Sequence, residues 1–264
     1  MENLYKTLWR HRSLTLELVK REFTGRYRGS FGGVLWSLAQ PLFMLAVYTI
    51  AFGIVMKARW GFSGGTREYA LMLFAGLIVF NAFSECLIKA PRLIIANPNF
   101  VKKVVFPLEI LPWVMSLSAL IHILIATAVW LMGYAILFGM PKATLIYLPI
   151  VLIAFFPALL AIGWLLAAAG VIVRDIEQLT SMLAHALLFL TPIFYSADAA
   201  PPLIQNALML NPLTFIIEQM RLVLFIGETP SLRGLLAYFA LSLAFSMGAL
   251  FAFRRLRSSF ADYV

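Results

Sequence analysis

Six apolar stretches, each bounded by polar or basic residues, dominate the sequence: 33–56, 69–88, 110–138, 145–173, 179–195 and 235–253. A hydrocarbon layer about 30 Å thick is crossed by roughly 20 residues of helix. A helix is also one of the few structures that satisfies its own backbone in lipid. The six runs therefore predict six membrane-spanning helices. The run 179–195 is at the short limit. The runs 110–138 and 145–173 exceed a perpendicular crossing and predict tilt, or extension past the bilayer. Composition closes the soluble alternative: 62% of the chain is hydrophobic and 12% charged, against about half and about a quarter in soluble domains. The expected class is an all-α integral membrane protein. A transmembrane domain over 33–254 is flanked by an N-terminal region, 1–32, and a short tail, 255–264.

The net charge of +9 would suggest nucleic acid as a partner of a soluble chain. Here the cations crowd the ends of the apolar runs, which is a topology signal, and no nucleic acid is expected. With the N-terminus inside, fifteen of the 21 Lys and Arg fall in inner segments. Lys57, Arg59, Arg67, Lys142, Arg221 and Arg233 fall outside. This bias predicts that both termini are cytoplasmic. About thirty residues, many of them polar or basic, precede the first apolar run, unlike the short n-region of a signal peptide, so the N-terminal segment is expected to be retained. The single cysteine, Cys86, has no intramolecular disulfide partner.

Three segments are not spans. Residues 4–24 carry Tyr5, Leu8, Trp9, Leu16, Val19 and Phe23 on one face of a helix and Lys6, Arg10, Glu17, Lys20 and Arg21 on the other, the pattern of a helix in the membrane interface; a plain basic anchor fits as well. In the loop after the second run, Asn97-Pro98 is a helix-start signal. It predicts a short cytoplasmic helix over about 97–105 that carries Asn99, Phe100, Lys102 and Lys103. That helix either seats in a groove on a partner or serves as a basic connector. Between the last two runs, 201–210 and 212–226 are too short to cross and too apolar for a solvated loop. They predict an outer re-entrant pair over about 201–226, with Glu218 and Arg221 paired at i,i+3. Arg174 and Asp175, followed by Glu177, form a charged hinge at the inner surface.

Chemistry-bearing residues are sparse. Glu85 and Glu109 flank the inner loop and fit pairing with Lys89, Lys102 or Lys103. His122 and His185 fit helix–helix hydrogen bonding. Aromatic residues make up 14% of the chain. Trp36 and Phe43 share one helix face, while Phe189, Phe194 and Tyr195 cluster beside Pro192. Sugar rings pack their C–H faces on aromatic rings, so these five residues suit a glycan path; an interfacial aromatic belt is the plainer alternative. No phosphate-binding G-x-x-x-x-G-K-[ST], H-E-x-x-H, G-x-S-x-G or cysteine–histidine metal spacing is present in the sequence. No cofactor, metal or catalytic activity is expected in this chain. Active transport would draw its energy from another subunit.

Several short motifs occur in a fixed order: Arg26 to Trp36 (RYRGSFGGVLW) with Gln40-Pro41-Leu42, Phe106 to Pro112 (FPLEILP), Val173 to Ile176 (VRDI), Thr191 to Tyr195 (TPIFY), and Asn211 to Leu213 (NPL) with Glu218 and Arg221. Together they resemble the membrane subunit of type-2 ABC exporters for O-antigen, capsular or teichoic-acid polysaccharide, over nearly the whole chain. The resemblance implies a homodimer of six-span subunits in the bacterial inner membrane, joined to two ATP-binding subunits that carry ATP and Mg. It implies a lipid-linked polysaccharide as substrate, O-antigen first. It also makes 4–24 an interface helix, 97–105 a coupling helix and 201–226 the outer closure of the channel. Two alternatives remain. A type-2 exporter for a drug or lipid would have a more aliphatic path. A membrane-embedded glycan- or lipid-processing enzyme would need carboxylates or histidines clustered at one face.

Overall fold

A computed structural model describes residues 11–26, 29, 31–55, 65–101, 106–196 and 201–260. Among these residues regular structure is entirely helical. The helices are α1 (Arg12–Gly25), α2 (Trp36–Tyr48, continued as a π-helix over Thr49–Val55), α3 (Thr66–Lys89), α4 (Pro98–Val101), α5 (Ile110–Phe138), α6 (Leu148–Ile172), α7 (Ile176–Leu190), α8 (Pro202–Leu210), α9 (Pro212–Arg221, continued as a π-helix over Leu222–Ile226) and α10 (Leu232–Leu256). Four helical segments are long and apolar enough to cross a membrane: Arg67–Arg92, Ile110–Phe138, Ala143–Ile172 and Leu232–Ser259. The protein is thus a multi-pass membrane protein. Trp36–Ala51 and Ile176–Leu190 are apolar but shorter.

The fifth apolar run forms a helix displaced from its expected bounds. It starts at Ile176, on the turn through Arg174 and Asp175, and ends at Leu190. Proline pushes the preceding residue into extended backbone, and Thr191 adopts φ −115°, ψ 140°. Phe194 and Tyr195 therefore lie on the segment beyond the helix.

Helix α3 is the hub. Its N-terminus is closed by the Glu68 carboxylate, which accepts a hydrogen bond from the Gly65 N–H at 3.2 Å. Every residue from Tyr69 to Phe80 is buried, with α2, α5, α7 and α9 packed around it. Helices in lipid gain little from excluding water, so close packing and hydrogen bonds hold them together. Trp130 of α5 supplies both: its ring is fully buried and its indole N–H donates to the Leu71 carbonyl at 2.8 Å. Helix α10 packs along α6. Its C-terminal part, with Phe253, and Phe260 beyond it join Trp164 and Ile94 in a second core.

Helix α1 packs on α5 through Leu18 and Val19 against Ile110 and Val114. The inward seam is centred on Thr15, Leu18 and Val19, whereas Leu16, expected on the apolar face, is exposed. Tyr5, Leu8 and Trp9 lie outside the described residues.

Candidate functional site

The Glu218–Arg221 pair expected from sequence forms at 2.8 Å, and it is the smaller part of a larger arrangement. Arg221 is fully buried. Its Nε donates to the Met72 carbonyl of α3 at 3.1 Å, Nη1 to the Pro192 carbonyl at 2.8 Å, and Nη2 to the Ile193 carbonyl at 3.0 Å. A buried charge is tolerable only when paired and hydrogen-bonded, and the guanidinium fork meets three carbonyls and a carboxylate at once. Gly76 gives it room: a β-carbon there would sit 2.9 Å from Nη2. Asn211, between α8 and α9, accepts from the Leu213 N–H at 3.0 Å and donates to the Thr191 hydroxyl at 3.0 Å. One cation and one carboxamide thereby fix the segment after α7.

That segment carries Phe194 and Tyr195, two of the five expected aromatic path residues, beside Phe189 at the end of α7. Phe189 and Phe194 stack with centroids 5.6 Å apart. The Tyr195 hydroxyl donates to the Phe189 carbonyl at 3.1 Å, and the Phe194 carbonyl accepts from Tyr69 at 2.8 Å. The rings are tethered through backbone, which leaves faces open; Phe189 is 66% exposed. Trp36 and Phe43 belong to a different helix, α2, where both are exposed.

Beyond the C-terminal end of α3, α4 begins at Pro98 as the sequence predicts. The Asn97 carboxamide turns back to donate to the Leu93 carbonyl at 2.9 Å. Phe100 is half-buried: it stacks on Phe106 at 4.3 Å, and the Arg21 guanidinium of α1 lies 5.5 Å from its ring centre. Asn99 is exposed. Lys102 and Lys103 lie outside the described residues. The loop is seated on its surroundings at two more points. Arg92 pairs with Glu177 of α7. Gly170 of α6 meets Pro91 so closely that a β-carbon would be 2.3 Å from the Pro91 carbonyl oxygen. Arg174 and Asp175 are exposed in the α6–α7 turn.

Glu85 and Glu109 both have partners beyond those that sequence suggests. Glu85 pairs with Lys89 at 2.8 Å and also with Arg26 at 2.9 Å and His122 at 3.0 Å. Glu109 receives Arg257 at 3.2 Å and Arg254 at 3.4 Å, both from the end of α10. His122 is the interhelical partner expected of it, whereas His185 bonds within its own helix, to the Ser181 carbonyl. The Arg26–Glu85 and Arg257–Glu109 contacts join residues far apart in the chain. Nothing in local spacing points to them, although Arg26 and Glu109 both lie within the motifs singled out above. Among the described residues no group of three or more His, Cys, Asp or Glu is placed to hold a metal.

The family model for the ABC-2 type transporter matches residues 13–225. The chain belongs to this family. In this ABC-2 chain the matched stretch runs from α1 to the end of α9, and so takes in the inner loop and the Arg221 site. Proteins similar over their full length are also found. One from Myxococcus xanthus, named O-antigen export system permease protein RfbA, is 27% identical over all of both chains. Two from Klebsiella pneumoniae with the same name are 25% and 24% identical over 94% of each chain.

Proposed function

We propose that the chain is the membrane subunit of an ATP-driven exporter that carries lipid-linked polysaccharide, O-antigen in the first instance, across the bacterial inner membrane. The observation that carries this reading is the end-to-end similarity to O-antigen export permeases, together with membership of the transporter family. The chain works as a homodimer. Two ATP-binding subunits supply ATP, Mg and hydrolysis. Helices α2 and α7 complete a six-span topology with the four longer segments, and both termini face the cytoplasm. Residues 1–32 form the interface region and 255–264 the inner tail.

Coupling runs through the inner loop. Asn99, Phe100, Lys102 and Lys103, on the helix over 97–105, meet the ATP-binding subunit. A loop tied to α1 by Phe100 and Arg21, to α6 at Gly170 and to α7 by Arg92–Glu177 moves these helices as a group, with Arg174 and Asp175 as the hinge between α6 and α7. The re-entrant pair over 201–226, pinned by Arg221, closes the outer end. Trp36, Phe43, Phe189, Phe194 and Tyr195 offer ring faces to the sugar chain. A polymer slides over flat apolar faces more readily than past buried hydrogen bonds, which are costly to leave unmade.

The test is surface glycan in cells that carry this chain, its ATP-binding subunit and the lipid-linked polymer. Loss of the chain should abolish surface glycan while polymer accumulates on the inner face. Phe100→Asp should do the same in a protein that still inserts, because an uncompensated charge in an apolar contact is costly. Surface glycan that persists without the chain, alongside new drug sensitivity, would turn the reading toward a small-molecule exporter.

A further inference from the structure

Helices α5, α6 and α10 leave a groove-shaped cavity of about 670 Å³ between them. Its walls are apolar, with Leu120 and Leu124 of α5, Ile153 and Phe156 of α6, and Leu243 and Met247 of α10. Ser246 also lines it, but its hydroxyl donates to the Leu243 carbonyl at 2.8 Å and is satisfied within its own helix. The remaining polar groups gather at one end, around Glu109. There the Trp164 indole N–H donates to the Glu109 carbonyl at 3.2 Å, the Trp113 ring lies 6.4 Å from that of Trp164, and Arg254 pairs with the Glu109 carboxylate at 3.4 Å.

The dimensions select what can lie there. The lining runs from 149 to 164 on α6 and from 239 to 254 on α10, about 22 Å of helix on each. That is about half the thickness of a bilayer with its headgroups. Spread over this length, the cavity has a mean cross-section of about 30 Å², against roughly 80–110 Å² for a helix with its side chains. Such a groove admits lipid chains, and a further helix is too wide for it.

The polar end selects a headgroup. Among the described residues Arg254 and Arg257 meet one carboxylate, Glu109. Arg257 donates to both of its oxygens at 3.2 Å and to the Phe106 carbonyl at 3.1 Å. Arg254 approaches it through Nε, and among the described residues its two terminal nitrogens make no hydrogen bond. Its side chain is part-exposed and lines the cavity. A guanidinium with two open N–H groups matches two oxygens of a phosphate. The Trp113 indole N–H is a further donor without an acceptor among the described residues, on a side chain that favours headgroup depth. Basic pockets between membrane helices recognise anionic lipid heads by this chemistry.

We infer that the groove between α5, α6 and α10 binds an anionic glycerophospholipid from the leaflet at the C-terminal end of α10, with an acyl chain along the apolar walls and the phosphate on Arg254. Such a site depends on the chain lying in a membrane and not on what the chain exports.

The experiment is native mass spectrometry of the full-length protein, purified in mild detergent with its associated subunits. Bound lipid is counted as dioleoyl phosphatidylglycerol or dioleoyl phosphatidylcholine is titrated in. Phosphatidylglycerol should bind about ten-fold more tightly, the difference of one charge-assisted contact. Arg254→Gln should remove that preference and leave phosphatidylcholine binding unchanged. Arg254→Lys keeps the charge without the fork and should lose part of the preference, which gives the same reading if the glutamine variant does not accumulate. Met247→Trp, at an exposed position that lines the groove, should weaken both lipids about ten-fold. Leu241→Trp, exposed on α10 and outside the lining, should weaken neither. Equal binding of the two lipids by the native protein makes this an ordinary boundary-lipid contact and overturns the assignment. An undiminished preference in the Arg254 variants, or undiminished binding in Met247→Trp, also overturns it. Full competition by glycerophosphoglycerol, the head without its chains, marks a bare anion site, and loss of the oligomer in Met247→Trp assigns the groove to contact between copies; either result overturns it as well.

Discussion

The two ends of the protein use charge in opposite ways. At one end a buried cation, Arg221, is surrounded by carbonyls from α3 and from the segment after α7 and pairs with Glu218. At the other end two carboxylates, Glu85 and Glu109, each gather two or three partially exposed basic partners. A guanidinium bonded to backbone cannot exchange partners without unfolding the segment it holds. Side-chain ion pairs near water exchange readily, and each is worth little. The Arg221 end is held through backbone, whereas the Glu85 and Glu109 end is held through side-chain pairs whose basic partners are part-exposed.

Removing Arg221 should hurt most. Arg221→Met strips three carbonyls and Glu218 of their donor, and breaking such a buried network costs about 3–5 kcal/mol. Thermal unfolding in detergent should show a large drop and mature protein should be scarce; Arg221→Lys should not rescue it, since a lysine cannot reproduce the fork. An unchanged melting temperature would erase the contrast between the ends. Gly170→Val comes next. It forces side-chain atoms into the Pro91 carbonyl, and overpacking of this kind costs about 2–3 kcal/mol. Transport should fall further than the loss of stability accounts for, because the loop loses its seat on α6; export per folded molecule, compared with the melting curve, reads this directly.

Glu109→Gln weakens the tie between the inner loop and the end of α10. With its partners near solvent the expected loss is about 1–2 kcal/mol. Its melting temperature should be less sensitive to salt than that of the native chain, since fewer screened pairs remain. A cost as large as that of Arg221→Met would mean that the inner end is just as rigidly held. Tyr195→Phe is the mildest change. It removes one hydrogen bond of 3.1 Å to the Phe189 carbonyl and keeps the ring, so less than about 1 kcal/mol is at stake. Export should stay near normal, whereas Tyr195→Ala should reduce it per inserted molecule. Equal export by both variants would show that the ring does not touch the polymer.

Hydrophobic runs and proline positions made the helices legible in the sequence, because both act locally. The start of α4 at Pro98 and the Glu218–Arg221 pair were readable for that reason. The end of α7 was placed too late because apolarity continues through Ile193 to Tyr195 while Pro192 has already broken the backbone. On α1 the apolar face divides, with Leu18 and Val19 against α5 and Leu16 exposed. A helix lying against both protein and lipid has two apolar environments, and periodicity does not distinguish them. The long-range part of the candidate site was not legible at all. The carbonyls around Arg221 come from backbone, which leaves no trace in side-chain pattern, and Arg26 meets His122 and Glu85 only once α1, α3 and α5 have packed.

The Arg221 contact also orders events during synthesis. The Met72 carbonyl leaves the ribosome 149 residues before the arginine that binds it, so α3 enters the bilayer and waits through the making of α5, α6 and α7 with that acceptor unmatched by its final donor. The clamp closes only when α9 arrives. A chain stopped short of α9 lacks it entirely, and one stopped just after α9 gains it before α10 has packed along α6.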